Sequence, residues 1–159
     1  MMYWHVQRAF KEAVKYKSLQ VVEHIIEDLD LDLRHESFKN LLHMFLFTCS
    51  MAETVNDPDM QEVNRQLVRY LVRGVKGEVD SMNSANGSTP LHVACDSLSD
   101  LTIVEILVDG GADVNAVNND DEMPLLLLRR RQQKDAQNEQ LLDLEDYLLR
   151  KGAKTHWRT

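Results

Sequence analysis

Asn86-Gly87-Ser88-Thr89-Pro90-Leu91-His92-Val93-Ala94, followed by Ile103-Val104-Glu105-Ile106-Leu107-Val108-Asp109-Gly110-Gly111-Ala112-Asp113-Val114-Asn115-Ala116, decides the fold. Asn86-Gly87 is a tight-turn dipeptide, since both residue types tolerate positive φ. Thr89 is placed to cap a helix through its hydroxyl. Pro90 suits the first helical position, where no amide hydrogen is needed. Ala94 is small enough to let a neighbouring backbone approach. The apolar residues between Leu101 and Val108 recur at helical spacing and give a second helix. Gly110-Gly111 then supplies the left-handed residue that ends it. The stretch therefore reads as turn, helix, short link, helix, turn.

The same grammar extends outward along the chain. Val6, Phe10, Ala13 and Val14 share one helical face, and after Lys17-Ser18 a second stripe begins with Leu19, Val22, Ile25, Ile26 and Leu29. A second pair runs from Phe38 to Met51 and, after an acidic loop containing Pro58, from Val63 to Val72. The third pair covers Pro90 to about Cys95 and Leu101 to Val108. The fourth covers Pro124 to about Arg131 and Leu141 to Leu149. No segment alternates with period two for long enough to suggest a sheet. Short turns between such helices imply antiparallel hairpins stacked in sequence.

These residues resemble the ankyrin repeat. The turn, the Thr89-Pro90-Leu91-His92 start and the Gly111-Ala112-Asp113-Val114-Asn115 end make one nearly complete unit, in a family whose period is 33 residues. Leu42-His43 corresponds to Leu91-His92, and Pro124-Leu125-Leu126 falls 34 residues after Pro90-Leu91-His92. Leu148-Leu149-Arg150-Lys151-Gly152-Ala153 repeats the ending of the third unit. The resemblance implies an all-α ankyrin-repeat solenoid occupying 1–159 as one domain, with approximate repeats 4–35, 36–82, 83–117 and 118–159. There are departures. The second unit has an insertion around Met51–Glu62. The fourth has Met123 for the threonine, Leu126 for the histidine and extra residues over Gln132–Gln140. The first lacks the Thr-Pro-Leu-His start. Degenerate first and last units fit terminal caps, whose outer faces meet water.

Composition narrows the function. The 159 residues are 43% hydrophobic and 28% charged, with a formal net charge of -8, enough apolar material for a continuous core. Residues 129–159 carry 8 basic and 5 acidic groups, so the charge belongs to the preceding part of the chain. An acidic body repels phosphate backbones and argues against nucleic-acid binding. Cys49 and Cys95 sit alone in apolar stretches, without metal-knuckle or disulfide-framework spacing, as in a reducing compartment. The longest apolar run, Leu41 to Thr48, is too short to span a bilayer, and the N-terminus lacks the order of a secretion signal. The expected location is cytoplasmic, with the nucleus also open.

Chemistry is sparse. His5, His24, His35 and His156 show no metal-binding spacing. Asp28, Asp30 and Asp32 alternate like calcium ligands, but the glycine such a loop needs is Leu33 and its closing glutamate is Lys39. No nucleophile–base pairing and no phosphate-cradling loop can be assembled. The expectation is no enzyme, no cofactor and no metal. His43 and His92 stand where the family's histidine bonds neighbouring loop backbones.

The resemblance implies a concave face of turn tips and inner helices that binds a protein partner, and the acidic body suits a partner with a basic surface. Carried onto this chain, that face takes Asn86, Ser88, Asp96 and Ser97 from the third unit. The fourth contributes Asn119, Asp120, Glu122, Arg130 and Arg131. Lys15, Tyr16, Phe47 and Thr48 extend it toward the N-terminus. Arg129-Arg130-Arg131 reads either as a solvated helix face or as a docking point for an acidic partner. Three roles follow. The favoured one is a monomeric adaptor or competitive inhibitor, similar to ankyrin proteins of the NF-κB-inhibitor type and viral mimics of them. The second is the ankyrin part of a ubiquitin-ligase substrate receptor that selects degrons. The third is self-association through Tyr3, Trp4 and Trp157.

Overall fold

A computed structural model describes residues 8, 12, 18–28, 40–51, 58–75, 79–97 and 100–156. Among them are seven helices and no strand: α1 (Leu19–Asp28), α2 (Leu41–Met51), α3 (Pro58–Val75), α4 (Pro90–Ser97), α5 (Leu101–Asp109), α6 (Pro124–Lys134) and α7 (Glu139–Arg150). The helices α2, α4 and α6 pack on one another in an inner row. An outer row runs α1, α3, α5, α7, and α2–α3, α4–α5 and α6–α7 are hairpins. The all-α solenoid expected from the sequence is what the helices build.

The core lies between the rows. Leu91, Leu107 and Ile103, expected there, are 0%, 0% and 2% exposed. They join Phe45, Leu46, Leu67, Leu71, Leu125, Leu128, Leu144 and Leu148 in one continuous cluster. Cys49 and Cys95 are buried in the same cluster, and burial pushes the Cys95 thiol up to about 12. Such a thiol is a small core residue rather than a nucleophile.

Several boundaries differ from the sequence reading. The helix α3 starts at Pro58, not Val63. Proline lacks only the amide hydrogen that a first-turn residue does not need, and Asp59 beside it complements the positive helix end. The helix α2 starts at Leu41 rather than Phe38, because Asn40 is a turn residue whose carbonyl accepts the first helical bond, from Met44 (2.9 Å). The residues added over Gln132–Gln140 lengthen α6 to Lys134 and start α7 at Glu139. Asn138 caps α7 by accepting from the Gln140 amide (3.2 Å), and the Gln132 side chain donates to the Leu141 carbonyl (2.9 Å) to close the hairpin. The start of α5 is fixed twice over. Asp100 caps it through Thr102 N (3.0 Å) and accepts from Arg65 Nε of α3 (2.9 Å). The first apolar stripe, Val6 to Val14, lies outside the described residues.

The turns repeat a set of bonds. Asn83 N donates to Ser88 O (2.9 Å), and Asn118 N donates to Glu122 O (3.0 Å). The second of these loops is therefore one residue shorter. Gly87 takes the left-handed φ in the first (68°) and Asp121 takes it in the second (59°). Asn86 does not, so the Asn-Gly pair contributes one left-handed residue instead of two. At the end of α5 likewise, Gly111 alone is left-handed (101°), with Gly110 right-handed. The two turns are tied directly, Asn119 N donating to Asn86 O (2.9 Å).

A second repeated bond works as a clasp. Asp80 accepts from the Asp113 amide through both carboxylate oxygens (3.0 and 2.9 Å), and Asn115 accepts from the Lys154 amide (2.7 Å). Asn115 also donates to the Gly152 carbonyl (3.1 Å). Each clasp spans the step from one pair of helices to the next.

A groove across the inner helices

The inner helices are joined to the turns by their histidines. His43 Nε2 lies 2.7 Å from Ser88 O, and His92 Nε2 lies 3.0 Å from Glu122 O. A carbonyl only accepts, so both rings carry the proton on Nε2. His92 Nδ1 then accepts from Thr89 N (3.1 Å) and Thr89 Oγ1 (2.8 Å). The threonine hydroxyl thus meets the ring, in place of the amide-capping role expected of it. Burial lowers both imidazoles below their usual value, so at neutral pH they are uncharged struts.

These struts hold the turn tips above a groove of about 340 Å³ lined by α2, α4, α6 and the two turns. Eight of the residues singled out from the sequence line it: Phe47, Asn86, Ser88, Asp96, Ser97, Asp120, Glu122 and Arg130. Aligning Leu42-His43, Leu91-His92 and Leu125-Leu126 puts Phe47, Asp96 and Arg130 at one register position on successive inner helices. One helical turn earlier the same register gives Met44, Val93 and Leu127, of which Val93 and Leu127 line the groove.

Not every candidate faces it in the same way. Ser88 is buried, and its contribution to the His43 bond is the carbonyl. Arg130 is committed internally, with Nη1 2.6 Å from Glu122 Oε1 and Nη2 4.0 Å from Asp96 Oδ1. Asn119 and Arg131 do not line the groove. Asn119 packs its side chain against Gly87, where the turns meet, and Arg131 is half-buried, its guanidinium pKa lowered by that burial. The run of three arginines is split further, because Arg129 pairs with Glu145 of α7 (2.7 Å). A helix turns 100° per residue, so consecutive arginines serve different neighbours instead of one basic patch. Lys15 and Tyr16 lie outside the described residues, as does the side chain of Thr48. Asn83, His92, Val93, Asn118 and Leu127 line the groove without having been singled out for it. The helical spacing of Val93 and Leu127 from Asp96 and Arg130 was the available signal.

The groove carries the carboxylates of Asp96, Asp120 and Glu122 against the one guanidinium of Arg130. Phe47, 55% exposed, stands at its α2 end.

Residues 86–119 match the family profile described as Ankyrin repeat. That segment is an ankyrin repeat. No curated protein matches the chain. The ankyrin match begins at the turn residue Asn86 and ends at Asn119, the two residues whose main chains are bonded across the turns. Ankyrin repeats in general serve protein–protein interaction and are typically not enzymes. No helix among the described residues is long and apolar enough to cross a membrane.

Proposed function

We propose that this chain is an adaptor or competitive inhibitor that engages one partner protein along the groove, and that the partner presents a basic surface there. The observation that carries the reading is the charge of the groove. Arg130 pairs closely with Glu122 and stands 4.0 Å from Asp96. One guanidinium is thus set against three carboxylates lining the groove, which leaves it an excess of negative charge to meet a partner cation. The struts and clasps preorder the surface, so docking forfeits little conformational freedom and a few anchors suffice. Asn86, Ser97 and Phe47 complete the proposed contact.

The test is affinity capture of partners by the wild type and two variants. The first, Phe47→Ala/Asp96→Asn/Asp120→Asn, strips the groove. The second, Leu142→Ser/Leu149→Ser, alters exposed leucines on the outer helix α7. Circular dichroism of all three checks that helicity is kept. Proteins captured by the wild type and the α7 variant but lost by the groove variant support the reading. Proteins retained by the groove variant and lost by the α7 variant overturn it.

A further inference from the structure

We infer that the groove recognises an extended peptide segment of the partner in which an apolar side chain and a Lys or Arg are spaced i and i+3. This rests on the proposed function and specifies its ligand.

The order of side chains along the groove supplies the pattern. Phe47 on α2 offers an aromatic face, half exposed and unoccupied by the core. On the next inner helix, Asp96 lies in the same register position, with Asp120 of the turn lining the same groove. On the third, Arg130 is held by Glu122 at 2.6 Å, with its other terminal nitrogen 4.0 Å from Asp96. That pair closes the α6 end to a further charge. A ligand thus meets an apolar site, then an anionic site, one helix apart.

The distance selects the backbone conformation. Packed helices lie about 8–10 Å apart. A polyproline II segment rises about 3.1 Å per residue with three residues per turn, so its i and i+3 side chains point the same way about 9 Å apart. A β-strand presents same-side residues about 7 or 13 Å apart, on either side of that interaxial range. The spacing therefore favours apolar-x-x-basic in a polyproline II segment. A peptide carboxylate in place of the cation would face two like charges.

The test is selection of binders from a displayed library of random nine-residue peptides on the full chain, followed by measurement of each enriched peptide against two variants. The expected result is enrichment of an apolar residue and a Lys or Arg three positions apart. Asp96→Asn/Asp120→Asn should weaken those peptides about tenfold or more, as loss of a charge-assisted hydrogen bond does. It should also abolish the preference for the basic residue and keep that for the apolar one. Phe47→Ala should do the converse. Peptides that lose binding in both variants yet show other chemistry or other spacing overturn this inference and leave the groove reading standing. Peptides indifferent to both variants, or no enriched peptide, overturn both.

Discussion

The ring of His92 is bonded at both nitrogens, whereas Nδ1 of the buried His43 has no hydrogen-bond partner. The difference traces to one residue. Thr89 serves His92, and the corresponding position before His43 is the exposed Asn40. Replacing Asn40→Thr should place a hydroxyl at Nδ1 and stabilise the fold by about 0.5–1.5 kcal/mol, the net value of a hydrogen bond. An upward shift of the urea midpoint checks this, and no shift refutes it. Both histidines also set an acid limit. Their folded pKa values lie below the ordinary 6.5, so on acidification the unfolded chain binds protons that the folded chain refuses. Their contribution is complete above about pH 6.5 and is lost as pH falls below it. Urea midpoints at pH 7.5, 6.5 and 5.5 should decline in that order. In His43→Gln/His92→Gln the slope should flatten.

At the scale of the element, the turns are more constrained than the helices they join. Gly87 has φ 68°, and a Cβ there would run into the Asn119 side chain of the next turn. Gly87→Ala should cost about 1–3 kcal/mol, the usual penalty of backbone strain, before the clash is counted. Thermal unfolding measures it, and an unchanged midpoint would show that the turns do not meet as described. The residues around Gly87 were legible in sequence because turn chemistry is local: a glycine, a threonine, a proline and a histidine announce themselves. Helix α3 was less legible at its start, since Asp57-Pro58-Asp59 has the composition of a loop and also that of a first helical turn. The clasps at Asp80 and Asn115 were not legible at all, because a bond to an amide 33 or 39 residues away leaves no local trace. Phe47, Asp96 and Arg130 could be placed on one face by register. That Arg130 was already committed to Glu122 could not be read, since that depends on how a turn folds over α6.

Among the described residues the pairs of helices form a stack in which each packs on its neighbours, so stability is close to a sum of local terms. Leu107 of α5 is fully buried in the middle of that stack. Leu107→Ala should cost about 2–5 kcal/mol and split the single unfolding transition into two, as the segments on either side lose their coupling. A loss below about 0.5 kcal/mol would contradict the packing. The clasps carry a kinetic consequence as well. The amides of Asp113 and Lys154 belong to solvent-exposed residues, where isotope exchange with water is ordinarily fast. Each is instead bonded to a side chain of the preceding unit, so its hydrogen is released only when adjacent units separate. These two amides thus record, one interface at a time, how often the solenoid breathes.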